Sequence, residues 1–107
     1  MDDQQRVAAF LETYDLHTDP AYRTLDLVSE VGEVTKEING STDYGSDPDE
    51  VTIARDELGD VYFALLSLCT ELNVDASSVL EESLSKYERR LERKDTPGSE
   101  ESNPDQG

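Results

Sequence analysis

Nine consecutive residues, 61–69, read VYFALLSLC and are apolar almost all the way round a helix. A helix without a polar face has to be covered on more than one side. The chain is 107 residues long, the length of one small domain, and a chain so short has little interior of its own. The segment therefore sets two expectations: it is the central helix of a helical bundle, and it also packs against a second subunit. No stretch shows the sustained alternation of a half-buried strand, so the expected class is all-α.

Three more helices follow from period and punctuation. The first is expected over residues 4–14, with Val7, Phe10, Leu11 and Tyr14 on one stripe. The second opens at Thr18-Asp19-Pro20, a capping side chain followed by a proline suited to the first turn, and closes near Asn39-Gly40. Leu27, Val28, Val31, Val34 and Ile38 form its inner face. A connector, STDYGSDPDE at residues 41–50, has the Ser, Asp, Gly and Pro content of a solvated loop. The third helix is expected to start at Asp47-Pro48, again a cap before a proline, and to run to Leu72. The fourth runs from a cap at Asp75 to Lys94, with Val79, Leu80, Leu84, Tyr87 and Leu91 facing inward. Short connections favour antiparallel neighbours, so residues 1–94 are expected to form an antiparallel four-helix bundle. Residues 95–107, DTPGSEESNPDQG, carry four acids, no base and no apolar anchor, which is the composition of a disordered acidic tail.

Twenty-six acidic residues stand against nine basic ones, for a net charge of −17. Such a surface repels phosphate backbones and anionic lipid, so neither nucleic acid nor membrane is expected as a partner. The surplus matches the composition of proteins from salt-loving microbes, where high ionic strength screens the self-repulsion. The start, MDDQQR, has neither the basic flank nor the apolar stretch of a signal peptide. The apolar runs are far shorter than the roughly 20 residues that span a bilayer. Cys69, the single cysteine, permits no intrachain disulfide and is expected as a buried thiol. Together these point to a cytoplasmic protein.

Four acids occupy an unusual setting. Glu30 and Glu33 are three apart, as are Glu57 and Asp60, so each pair projects from one side of its helix with Cβ atoms roughly 5 to 6 Å apart. Antiparallel packing of the second and third helices would let the two pairs converge, and a hard divalent cation would remove their mutual repulsion. In a chain this acidic, spacing alone does not separate a metal site from a solvated face. Context does: these acids interleave with Val28, Val31, Val34, Leu58 and Val61, and acids bordering a core are rarer than acids on an open face. Gly32 and Gly59 each precede the second acid of a pair inside a helix, where glycine costs about 1 kcal/mol relative to alanine. Close helix approach or room for a ligand would explain both.

The segments LVSEVGEVTKEI, residues 27–38, and RDELGDVYFALLSL, residues 55–68, resemble the E-x-x-E and E-x-x-D signature of MazG-type nucleotide pyrophosphohydrolases, glycines and apolar neighbours included. The resemblance spans residues 20–94 and implies an all-α enzyme that hydrolyses nucleoside triphosphates to monophosphate and pyrophosphate. It further implies Mg²⁺, or Mn²⁺ in its place, on Glu30, Glu33, Glu57 and Asp60. Glu33 is the candidate to accept the proton of the attacking water. Five of the nine basic residues are Lys86, Arg89, Arg90, Arg93 and Lys94. Of these, Lys86 and Arg90 resemble the Lys-x-x-x-Arg element that approaches the substrate phosphates in that family, although cations at a helix C-terminus are also favourable by themselves. Association into a homodimer or homotetramer is expected.

Other residues carry less. Glu37, four after Glu33, reads as a solvated acid, and His17, the single histidine, as a loop residue with no metal role. Tyr22 and Phe63 read as core aromatics rather than a stacking platform for a base. Two competing readings remain at this point. One is a non-catalytic acidic helical module that dimerises through the third helix and shows no metal dependence. The other, a di-iron bundle, needs Glu-x-x-His pairs on facing helices, which this chain lacks.

Overall fold

The computed structural model describes residues 1–94; the acidic tail expected at 95–107 lies outside the described residues. Within them the chain forms four α-helices: α1 Asp3–Thr13, α2 Pro20–Ser41, α3 Arg55–Glu71 and α4 Ala76–Lys94. One 3-10 turn lies at Pro48–Glu50, and the described residues contain no strand. The all-α class and the four helices are as expected. No single described helix is long and apolar enough to cross a membrane. The chain divides into two compact units, Met1–Val74 with α1, α2 and α3, and a second that begins at Asp75 and carries α4.

The helix starts show which local signals hold. Asp2 caps α1 in a reciprocal box, accepting from the Gln5 amide at 2.7 Å while the Gln5 side chain accepts from the Asp2 amide at 2.8 Å. Asp19 is the N-cap of α2 and Pro20 its first residue, yet the Asp19 carboxylate makes no cap bond; its carbonyl takes the Tyr22 and Arg23 amides instead. Asp75 caps α4 through its carboxylate, which accepts from the Ser78 amide at 3.0 Å and the Ser78 hydroxyl at 2.7 Å. The end of α2 is closed by Thr42, whose amide and hydroxyl both donate to the Ile38 carbonyl. The chain then turns through Asp43, Tyr44 and Gly45, all with left-handed φ, of 51°, 55° and 92°.

The start of α3 departs from expectation. Asp47-Pro48 opens only the short 3-10 turn, and α3 begins eight residues later than that signal, at Arg55, after the N-cap Ala54. The reason is tertiary. The backbone of residues 52–54 is held against α2 by Glu37, which accepts from the Ala54 amide at 2.9 Å, and by Ser41, whose hydroxyl accepts from the Thr52 amide at 3.0 Å. Amides bonded sideways to another helix are not joined into a helix of their own.

In the first unit α3 packs on both α1 and α2. Leu11, Ala64, Leu66, Ser67 and Cys69 are buried, so the thiol is buried as expected. The apolar run of α3 is only partly covered within one chain, because Tyr62, Phe63 and Leu65 are exposed. The expected inner face of α2 is corrected similarly. Leu27, Val34 and Ile38 are half-buried, whereas Val28 is 69% exposed and Val31 45%. On α4, each of Val79, Leu80, Leu84, Tyr87 and Leu91 is exposed.

A polar clasp joins the α1–α2 connection to the end of α3. Glu71 accepts from the Thr18 amide at 3.0 Å and lies 3.2 Å from His17 Nδ1, while His17 Nε2 lies 3.2 Å from Glu12. Arg23, 8% exposed, donates to the Leu16 carbonyl, and its Nε lies 3.8 Å from Glu71. The single histidine thus has a structural partner set of two carboxylates.

Candidate metal centre

Hydrogen-bonded and acidic contacts fix the direction of α2 against α3. Ser41 meets Thr52 and Glu37 meets Ala54, while Glu30, earlier on α2, meets Glu57 and Asp60, later on α3. The two helices therefore run antiparallel, as expected, and Glu30 faces Glu57 and Asp60.

Glu30, Glu57 and Asp60 each offer a carboxylate oxygen within 4.8 Å of the other two. Glu30 and Glu57 are half-buried and Asp60 is exposed, so the group sits at the rim of the α2–α3 interface with one side open to solvent. Glu33 lies on the exposed side of α2 and is not in this tight group. Its charge nonetheless reaches Glu57. Burial pushes the Glu57 carboxyl above its ordinary range, and the negative charges of Asp56, Glu37, Glu33 and Asp60 push it further in the same direction. Among the described residues, no ion pair involves Glu30, Glu57 or Asp60. Three carboxylates packed this closely without a cation of the protein's own form a hard-oxygen donor set. That set suits Mg²⁺, Mn²⁺ or Ca²⁺ rather than a soft metal.

Gly32 and Gly59 do not mark a close helix approach. A Cβ built at either would meet nothing within 4 Å, so both stand against open space. Gly59 instead lines a groove of about 450 Å³ between α1 and α3, with Arg6, Phe10, Tyr62, Phe63 and Leu66 among its walls. Phe63 is partly exposed and meets Phe10 edge to face at 5.9 Å, and Tyr22 is 59% exposed, so neither is the core aromatic it was expected to be.

Lys86 and Arg90 lie on α4 in the second unit. Both are half-buried and flank the Tyr87 ring, with Lys86 Nζ 5.0 Å and the Arg90 guanidinium carbon 5.8 Å from its centroid. Sequence reasoning set Glu37 aside as a solvated acid; in the structure it is half-buried and bound to the Ala54 amide. The available signal was its place four residues after Glu33 and four before Ser41, one stripe along α2.

Nothing among curated proteins or solved structures matches the chain. A family model does: the MazG nucleotide pyrophosphohydrolase domain matches residues 20–93, a span that holds both acidic pairs and the Lys86 and Arg90 positions. With that match over most of its length, and an all-α fold that draws Glu30, Glu57 and Asp60 together, the chain belongs to the MazG nucleotide pyrophosphohydrolase family.

Proposed function

We propose that this protein hydrolyses nucleoside triphosphates to nucleoside monophosphate and pyrophosphate with Mg²⁺, or Mn²⁺ in its place, in the cytoplasm. The observation that carries this reading is the convergence of Glu30, Glu57 and Asp60 within 4.8 Å inside a MazG domain. Glu30 from α2 and Glu57 and Asp60 from α3 would hold the cation. When bound there, the divalent ion supplies positive charge against the triphosphate oxygens, where negative charge grows during in-line attack. Glu33, exposed beside the group, is the fourth ligand and accepts the proton of the attacking water. The water oxygen bonds to phosphorus, the bond between the α and β phosphates breaks, and pyrophosphate leaves. Lys86 and Arg90 supply the positive charge that an acidic protein needs to hold an anionic substrate.

The test is a screen of nucleoside triphosphates with Mg²⁺ at high salt, read as pyrophosphate release. Release is expected for at least one nucleotide and is expected to fall on the order of 10²- to 10⁴-fold in Glu33→Gln, the usual range for a lost general base. No release from any nucleotide, or equal release by the variant, removes the reading.

Self-association belongs to the same proposal. Val28 and Val31 on α2 and Leu65 on α3 leave apolar surface that a second copy would cover, and a chain of this length gains core by doing so. Sedimentation equilibrium is expected to return a dimer or tetramer mass in molar salt. A monomer mass at every concentration would rule that out.

A further inference from the structure

We infer that Glu37 is a positioning residue for the metal centre: it splints the start of α3 onto α2 and thereby sets Glu57 and Asp60 opposite Glu30. The inference rests on the metal reading above and adds a residue to it. Ala54, the N-cap of α3, has no side-chain oxygen with which to close the helix start, and α3 accordingly begins without a side-chain cap. The contact that fixes this point comes from another helix. Glu37 Oε1 accepts the Ala54 amide at 2.9 Å, and one turn further along α2 the Ser41 hydroxyl accepts the Thr52 amide at 3.0 Å. Glu37 and Ser41 are four apart on one stripe of α2, so together they bind alternate residues of the extended segment 52–54.

From Arg55 onward α3 is continuous helix. Fixing Ala54 therefore fixes where every later residue of α3 falls along α2. Glu57 lies three residues beyond Ala54, about 4.5 Å along the axis. A slip of one residue would shift it by about 1.5 Å and turn it through about 100°, away from Glu30. Metal ligands need placement to about 0.5 Å, so the register of this one segment decides whether the three carboxylates meet.

What the contact needs is reach, not charge. The Glu37 charge is one of those that disfavour ionised Glu57, so it works against the ligand it positions. A glutamine has the same length and a carbonyl oxygen that can accept the Ala54 amide. An aspartate keeps the charge and is one methylene too short.

The two variants Glu37→Gln and Glu37→Asp separate these features, and neither removes a buried apolar group. Two readouts are taken on the full chain: Mn²⁺ affinity by electron paramagnetic resonance, and amide hydrogen exchange at Ala54 without metal. In Glu37→Gln both are expected within about twofold of wild type. In Glu37→Asp, Mn²⁺ binding is expected to weaken about tenfold and Ala54 exchange to quicken about tenfold, the scale of one lost hydrogen bond. Loss of Mn²⁺ affinity in Glu37→Gln as large as in Glu37→Asp would make Glu37 a ligand or a charge and overturn the splint. So would wild-type behaviour of Glu37→Asp. Because Ala54 exchange is read without metal, it upholds or overturns the splint even where the wild type binds no Mn²⁺, a result that removes the metal reading alone.

Discussion

Glu57→Gln is expected to lower pyrophosphate release by on the order of 10³-fold or more, equivalent to about 4 kcal/mol of transition-state stabilisation, while making the metal-free protein harder to unfold. The two effects have one origin. Glu57 is the member of the cluster on which burial and the charges of Asp56, Glu37, Glu33 and Asp60 all act, and each makes its ionised form less favourable in the folded state. A carboxyl raised in the fold opposes folding wherever it is ionised, at neutral pH and above, and the opposition fades as pH falls through its raised value. The amide removes that charge, so Tm in chelator is expected to rise at pH 7, with the gain vanishing toward pH 4. The same amide is a poor ligand for a hard cation, so Mn²⁺ affinity falls. Calorimetry in chelator and a pyrophosphate assay measure the pair of effects. The stability gain comes from metal-free charges and would also appear in a non-catalytic acidic module, so it is the loss of Mn²⁺ affinity and of pyrophosphate release that separates the enzyme from such a module.

Where local chemistry sets an element, the sequence is a reliable guide. Pro20 and Asp75 mark the starts of α2 and α4 because a preset φ in the one case and a short acceptor in the other act within one turn. That Glu57 and Asp60 lie together was legible for the same reason: three residues is nearly one helical turn wherever the helix lies. The start of α3 was not, because Asp47-Pro48 carries the same local signal while Glu37 and Ser41, from another helix, take the amides of residues 52 and 54. Gly32 and Gly59 misled in a similar way. A helical glycine signals that a side chain is unwanted, and whether a neighbouring helix or open space stands there depends on partners outside the local sequence. Val28 and Val31 fall on the apolar stripe of α2 but face outward in the single chain, since periodicity identifies a face without saying what covers it.

The clasp around Glu71 was invisible for the opposite reason, since His17 and Glu71 are 54 residues apart and nothing in either neighbourhood announces the pair. Its removal carries the second large effect. Glu71→Ala is expected to destabilise the protein by about 3 kcal/mol, the lower end of the range for breaking a buried ion pair, because Arg23 keeps the Leu16 carbonyl and the largely exposed Asp26. For a domain this size that corresponds to a fall in Tm of about 12 to 24 °C. The Thr18 amide holds the Glu71 carboxyl below its ordinary value of 4.5, burial opposes this, and His17 and Arg23 add to the lowering. A carboxyl lowered in the fold contributes its stability fully above 4.5 and loses it as pH falls through the lower folded value. The wild type should therefore lose stability steeply below pH 4.5, and Glu71→Ala less steeply, narrowing the gap between them in acid. The penalty comes from the Thr18 amide, which loses its acceptor, and from the Arg23 guanidinium, which loses one of its carboxylates. The paired replacement Arg23→Met with Glu71→Leu should recover the part of the loss that comes from Arg23, as apolar substitutes for buried ion pairs do, while the Thr18 amide stays without its acceptor. Urea unfolding of the two singles and the double measures this directly. If the double variant is as unstable as the sum of the singles, the coupling between Arg23 and Glu71 is absent, and the clasp holds through the Thr18 amide and His17.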